Sequence, residues 1–412
     1  LEFRKHTLKN GLEIVAECNG DAYSTALGFF VKTGSRDEID AIAGVSHFLE
    51  HMVFKGTPTR SADDVNREFD EMGAHYNAFT NEENTVFYAA ILPEYQDWAL
   101  NLLADILRPS LREDDFNTEK KVIIEEIRMY DDQPPFGADE KCRALFFDGH
   151  PLARSVLGTE TTVGNLTADQ MRDYFRRRYS PGNIVLAAAG QVDFEALVGS
   201  LERYCGAWEP VEAGRAVAPA KPHDVFQSLL KDTSTQQYAI HLTAGPNATD
   251  TDRYAAKLLA LMLGDDSGSR LYWELVDPGL AEQVSLSHYE YDGAGVFGTY
   301  MSCEPEEAAD NLQRIADVYR AAQETGITED ELTQAKNKVA SRVVLSSERP
   351  RGRLFTVGSD WIQRRQYRSV RDDLDAVAAL TLDEVTAVLK QYPLTRGTTV
   401  TIGPLDEVRA PM

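Results

Sequence analysis

Apolar positions along the chain change period several times, and each change marks an element. Alternating or continuous β-branched and aromatic runs at 12–17, 25–33, 74–80, 84–91 and 183–189 predict strands. Between them, apolar residues recur at helical spacing, as in "GVSHFLEHMVFKG" (44–56) and "DDFNTEKKVIIEEIRM" (114–129). The order then returns. "QQYAIHLTAG" repeats the role of "STALGFFVKTG", "RYAAKLLALMLGD" (253–265) that of the first helix, and "DELTQAKNKVASRVVL" (330–345) that of the long one.

Two further segments resemble each other, "LTADQMRDYFRRRYSPGNIVLAAAG" (166–190) and "LTLDEVTAVLKQYPLTRGTTVTIG" (380–403). Both open on a capping box, Thr167 with Gln170 and Thr381 with Glu384, and run through a helix into a β-branched strand. The proline-bearing stretch 209–223 between the copies reads as a linker. The chain is therefore expected to be α+β, with two tandem homologous domains, 1–208 and 224–412. Each is expected to be a mixed β-sheet with helices packed on one face.

The repeat acts as an internal control. Aligning Met52 with Met262 places Lys257 opposite His47, Ala260 opposite Glu50 and Leu261 opposite His51. The second copy is an ordinary apolar helix, so the architecture does not need those polar groups. Unpaired, their burial costs several kcal/mol, roughly 2–7 for a neutral polar group. Two imidazoles at i and i+4 share one helix face and converge on a point where a divalent metal fits. Glu50 lies beside them, close enough to reach a metal's water without being a ligand. Catalytic zinc commonly takes three protein ligands. Glu119 and Glu126, two helical turns apart on one face of the long helix, are the candidates for the third. Glu125 is turned about 100° from Glu126 and faces elsewhere. In the second copy the matching positions are Ala335 and Arg342.

Composition narrows the partners. A formal charge of −24 over 412 residues argues against a nucleic-acid partner. The one basic cluster, Arg176 to Arg178, reads as complementing a helix C-terminus. No apolar run is long enough for a membrane span. Four widely spaced cysteines and the lack of a signal-like start favour a cytoplasmic compartment, or the periplasm if a targeting segment has been removed. "TGSRDE" (33–38) reads as a turn without a phosphate-cradling pattern.

H-x-x-E-H followed seventy-five positions later by the second acid of E-x6-E resembles the pitrilysin, or inverzincin, family of zinc metallopeptidases, which includes mitochondrial processing peptidase and insulin-degrading enzyme. The resemblance spans nearly the whole chain. It implies one Zn²⁺ per chain held by His47, His51 and Glu126, with Glu50 as base toward zinc-bound water and Glu119 supporting the site. It further implies an endopeptidase acting on unfolded peptides or presequence-like segments, held as an added strand at "NAFT" by Asn77 and Ala78. Phe54 and Phe79 match positions lining the pocket beyond the cut bond, and Arg270 matches a substrate-contacting arginine. Glu282 stands where relatives carry a tyrosine. By the same resemblance one chain forms half of a clamshell, completed as a homodimer or as a heterodimer with a homologous subunit. The alternatives are a non-catalytic core or scaffold subunit, or a catalytic subunit that needs a different partner chain.

Overall fold

The computed structural model describes residues 1–133 and 135–412. Its strands are β1 (Glu2–Thr7), β2 (Glu13–Cys18), β3 (Thr25–Val31), β4 (His75–Thr80), β5 (Thr85–Ile91), β6 (Ile184–Gly190), β7 (Phe226–Leu230), β8 (Gln237–Ala244), β9 (Gln283–Tyr291), β10 (Ala294–Cys303) and β11 (Thr398–Gly403). Helices that shape the site and its repeat are α1 (Val45–Val53), α2 (Glu113–Asp132), α3 (Phe136–Phe146), α4 (Ala168–Arg178), α5 (Arg253–Gly264), α6 (Glu329–Ser347), α7 (Pro350–Arg364) and α8 (Leu382–Gln391). Both expected capping boxes form, Thr167 opening α4 and Thr381 opening α8. Among the described residues no helix is long and apolar enough to cross a membrane.

The chain divides into two compact units that interleave along the sequence. The first comprises Leu1–Arg128, Arg154–Ala216 and Val344–Ser369, the second Met129–Ala153, Val217–Val343 and Val370–Met412. The stretch up to residue 216, read as linker, belongs to the first unit. Arg215 anchors it there, with Nε and Nη2 bonded to Asp37 at 2.9 and 2.6 Å.

The first unit is built on a six-stranded sheet in the order β1-β2-β6-β3-β5-β4, in which only β2 and β6 run parallel. Leu27, Phe29, Phe87 and Leu186 point to one face, where Phe48, Leu49 and Met52 of α1, Ile123 of α2 and Met171 of α4 cover them. Helices pack on this face as the sequence predicts. The opposite face is apolar too, and α7 closes it: Val15, Phe30, Val86, Tyr88 and Val185 meet Leu354, Val357, Trp361 and Ile362. At Gly358 an added Cβ would lie 2.3–2.7 Å from the Phe30 ring, so only glycine lets α7 approach this closely.

A buried ion pair fixes α7 to the sheet. Arg353 donates from Nε and Nη2 to the Glu17 carboxylate at 2.8 and 2.5 Å, and Tyr367 adds a third bond at 2.8 Å. Both ions are almost fully buried, Glu17 at 2% and Arg353 at 4% exposure. Arg353→Met strands the carboxylate, which we expect to cost about 3–5 kcal/mol. Denaturant unfolding checks it; a loss under about 1 kcal/mol, the scale of a surface pair, would show that the bridge is not structural.

The second unit repeats the plan on a five-stranded sheet, β7-β11-β8-β10-β9, with only β7 and β11 parallel. Ala239, Phe297 and Met301 face α5. Ile240, Leu242, Val296 and Val400 face Ala138, Cys142 and Phe146 of α3 on the other side. Each sheet therefore takes its second cover from the other half of the sequence.

Candidate metal centre

Helix α1 is nine residues long and mostly buried. It starts at Gly44, whose φ of +92° and close approach to the Leu157 carbonyl suit glycine alone. The free amides of its first turn are met by Glu38, whose Oε2 accepts from Gly44 N at 2.8 Å and Oε1 from Ser46 N at 2.7 Å. Ser46 Oγ bonds Tyr174 OH at 2.7 Å, which in turn bonds Thr33 Oγ1 at 2.8 Å. This buried set fixes the helix end beside His47. Packing of Phe48, Leu49 and Met52 then turns His47 and His51 toward α2.

On α2 the buried positions are Phe116, Glu119, Ile123 and Ile127, which fix its rotation. Glu126 Oε2 lies 3.8 Å from His47 Nε2 and 3.6 Å from His51 Nε2. These atoms are too far apart to hydrogen-bond one another yet all lie within 4.8 Å. A tetrahedral ion with bonds near 2.0–2.1 Å needs donors about 3.3 Å apart, so modest inward rotation suffices. Glu125 instead faces solvent, 71% exposed, and pairs with Arg128 at 2.6 Å.

Glu119 Oε1 meets His51 Nδ1 at 2.9 Å, and its Oε2 meets Lys55 Nζ at 2.6 Å. Burial alone would raise the Glu119 pKa, but the bonds from His51 and Lys55 outweigh it and hold the acid below its ordinary value. As a carboxylate Glu119 can only accept, so the neutral form of His51 carries its proton on Nδ1 and its lone pair on Nε2, toward Glu126. For His51 too, burial lowers the pKa, while Glu119, Glu126 and Glu50 together raise it. His47 lacks such support. Among the described residues its Nδ1 is buried without a hydrogen-bond partner, and burial, with His51 adding to it, lowers its pKa to about 3. The ring is neutral, the form that ligates metal. The donor set, two imidazoles and a carboxylate that make no hydrogen bonds among themselves, fits zinc.

Glu50 sits on the same helix, its pKa raised chiefly by burial. Its Oε2 accepts from Thr80 Oγ1 at 2.6 Å. Strand alternation sorts the substrate-strand residues. Ala78 and Thr80 point to the α1 side of the sheet, where half-buried Phe54 lies near Tyr76 and Phe87, ring centroids 6.3 and 6.1 Å away. Asn77 and Phe79 point to the other side, opposite Tyr88 and Val86, and Phe79 lies 5.9 Å from the Phe355 ring of α7. Phe54 and Phe79 are thus not brought to one pocket wall. Arg270, in the second unit, makes a two-pronged pair with Glu331 at 2.6 and 2.9 Å. Glu282 bonds Gln236.

Sequence reasoning passed over three groups here. Glu38, inside a stretch read as a plain turn, caps α1. Thr80 hydrogen-bonds Glu50. Arg178, read as a dipole-complementing residue, is buried instead, bonded to Asp37 at 3.0 Å and to Thr33 Oγ1 at 3.1 Å. The available signal was a run of polar residues directly after a strand that is apolar on both faces.

Two sheets of α+β plan, one covered by a helix that carries two histidines beside an acidic one, bring together side chains of the kind that hold a catalytic metal. Residues 13–160 match the profile described as insulinase (peptidase family M16), and residues 165–339 that of the peptidase M16 inactive domain. The chain belongs to the M16 peptidase family. It is 34% identical over 414 aligned residues to an uncharacterized zinc protease of Mycobacterium tuberculosis, covering 99% of this chain and 94% of that one. It is 30% identical over 393 residues to the uncharacterized zinc protease YmxG of Bacillus subtilis, covering 94% and 95%. A protease from Helicobacter pylori superposes with a TM-score of 0.91 at 22% identity, covering 98% of this chain and 99% of the other. A protein of Pseudomonas fluorescens described as peptidase M16 inactive domain does so with 0.92 at 19%, covering both in full. The last two likenesses are of fold.

Proposed function

We propose that the chain is a zinc-dependent endopeptidase of unfolded peptides. The observation that carries this reading is the convergence of His47 Nε2, His51 Nε2 and Glu126 Oε2 on one point, unbonded to one another, with Glu50 alongside on the same helix. Zinc held there supplies Lewis acidity that acidifies water and polarises a peptide carbonyl. Every other step belongs to the chain. His51 is held in the ligating tautomer by Glu119. Oε1 of Glu50, the oxygen not engaged by Thr80, takes a proton from the attacking water and passes it to the leaving amine. Strand β4 ends the sheet, and its free edge receives the peptide main chain as an added strand near Asn77 and Ala78, which asks little of sequence.

The test is metal analysis of the purified chain together with hydrolysis of unstructured fluorogenic peptides. We expect one zinc per chain, loss of turnover in chelator and recovery on adding zinc. A metal-free chain, or turnover indifferent to chelator, overturns the reading. We further propose that a second copy of the chain, or a homologous subunit, completes a chamber around the peptide. Light scattering at assay concentration should then give the mass of two chains, and a fully active monomer would remove this part of the proposal.

A further inference from the structure

The base assigned to Glu50 needs its carboxylate held in one orientation, and among the described residues Thr80 is the side chain hydrogen-bonded to it. Thr80 closes β4 and points to the α1 side of the sheet, directly opposite Thr85 on β5. Its one hydroxyl proton has two acceptors in reach, Glu50 Oε2 at 2.6 Å and Thr85 Oγ1 at 3.4 Å. Thr85 directs its own proton to the Thr33 carbonyl at 3.0 Å, which as a carbonyl can only accept. The shorter, charge-assisted bond takes the Thr80 proton. Thr33 O, Thr85, Thr80 and Glu50 thus form one line of hydrogen bonds, and among the described residues no hydrogen bond engages Oε1 of Glu50.

We propose that Thr80 is a positioning residue for proton transfer, its hydroxyl pinning Glu50 Oε2 so that Oε1 faces the reacting water, and that it ties the base to the strand whose edge receives the peptide. This rests on the peptidase reading above. Thr80 lies on β4 itself, one residue past Phe79 and two past Ala78, so a peptide added to that strand and the base that serves it are referred to one backbone. Asn77 and Phe79, on the other side of the strand, cannot do this.

Thr80→Val keeps the shape and β-branching of the side chain and removes only the hydroxyl. Against unstructured fluorogenic peptides we expect kcat to fall about 10- to 100-fold, the usual cost of losing a supporting hydrogen bond around a metal site. Zinc content should remain one per chain and KM should stay close to that of the unsubstituted chain, because neither ligands nor strand edge are altered. Thr80→Ser, which restores the hydroxyl, should recover most of kcat. Unchanged kcat in Thr80→Val overturns the proposal. So does lost zinc or raised KM in Thr80→Val that Thr80→Ser shares, since that pattern marks a packing role. Glu50→Gln run alongside separates the two levels. If it is inactive while Thr80→Val is fully active, only the role of Thr80 fails; if Glu50→Gln is itself active, the peptidase reading of Glu50 fails first.

Discussion

Glu50→Gln should keep its metal and lose roughly two to four orders of magnitude in kcat, the range a positioned general base supplies. Gln matches Glu in size, and its carbonyl oxygen can still accept the Thr80 proton, so α1 should stay in place with His47 and His51 aimed as before. What disappears is the second carboxylate oxygen, the only part of Glu50 that can take a proton from water. The two acids that share the site cannot replace it. Glu119 is committed through both oxygens to His51 and Lys55, and Glu126 faces the two imidazoles. Metal analysis beside a turnover assay separates the outcomes. Retained zinc with lost turnover supports the assignment. Retained zinc with near-normal turnover shows that the proton goes elsewhere, and lost zinc shows that Glu50 is part of the binding set.

Much of this centre could be read from residue order because its chemistry repeats at helical intervals. Two histidines four apart, and an acid on the buried face of a second helix, need no knowledge of tertiary structure to be seen as convergent. The second copy sharpened the reading. Where the first unit has Glu126, the second has Arg342, which bonds Asp265 at 2.7 Å together with Lys338. An ion pair there links α6 to the residue after α5, so the fold tolerates either solution. The covers of the outer faces could not be read in this way. The runs "TALGFFV" and "IVLAAAG" announce strands buried on both sides. Which segment supplies the second cover depends on helices more than a hundred positions away. Strand β1 escaped notice for a different reason: as a sheet edge, "EFRKHT" keeps charged residues and shows no apolar period. The facing of Phe79 needed one tertiary contact. Residues 79 and 80 must point to opposite sides of a strand, so once Thr80 is known to meet Glu50, Phe79 belongs with α7.

Neighbouring acids on α2 give the sharpest trial of the metal centre. Glu126→Gln replaces a charged oxygen ligand with a weak neutral one and leaves the two imidazoles with no anion to complete the set. Supporting residues around a metal typically contribute 10- to 100-fold in affinity, so removal of a direct ligand should weaken zinc binding by more than about 100-fold. Glu125→Gln should leave affinity unchanged within a factor of about two, because the most it forfeits is an exposed pair with Arg128 worth about 0–1 kcal/mol. Competition with a chromophoric chelator measures both on the folded chain, and far-ultraviolet circular dichroism guards against loss of α2. The discrimination comes from rotation about one helix axis. Burial of Ile123 and Ile127 turns Glu126 inward and Glu125 out, and no difference in charge, helix propensity or size separates the two substitutions. Equal losses at both positions would mean that the acids act only through net charge, and a larger loss at 125 would mean that α2 is rotated in solution from the setting its apolar residues impose.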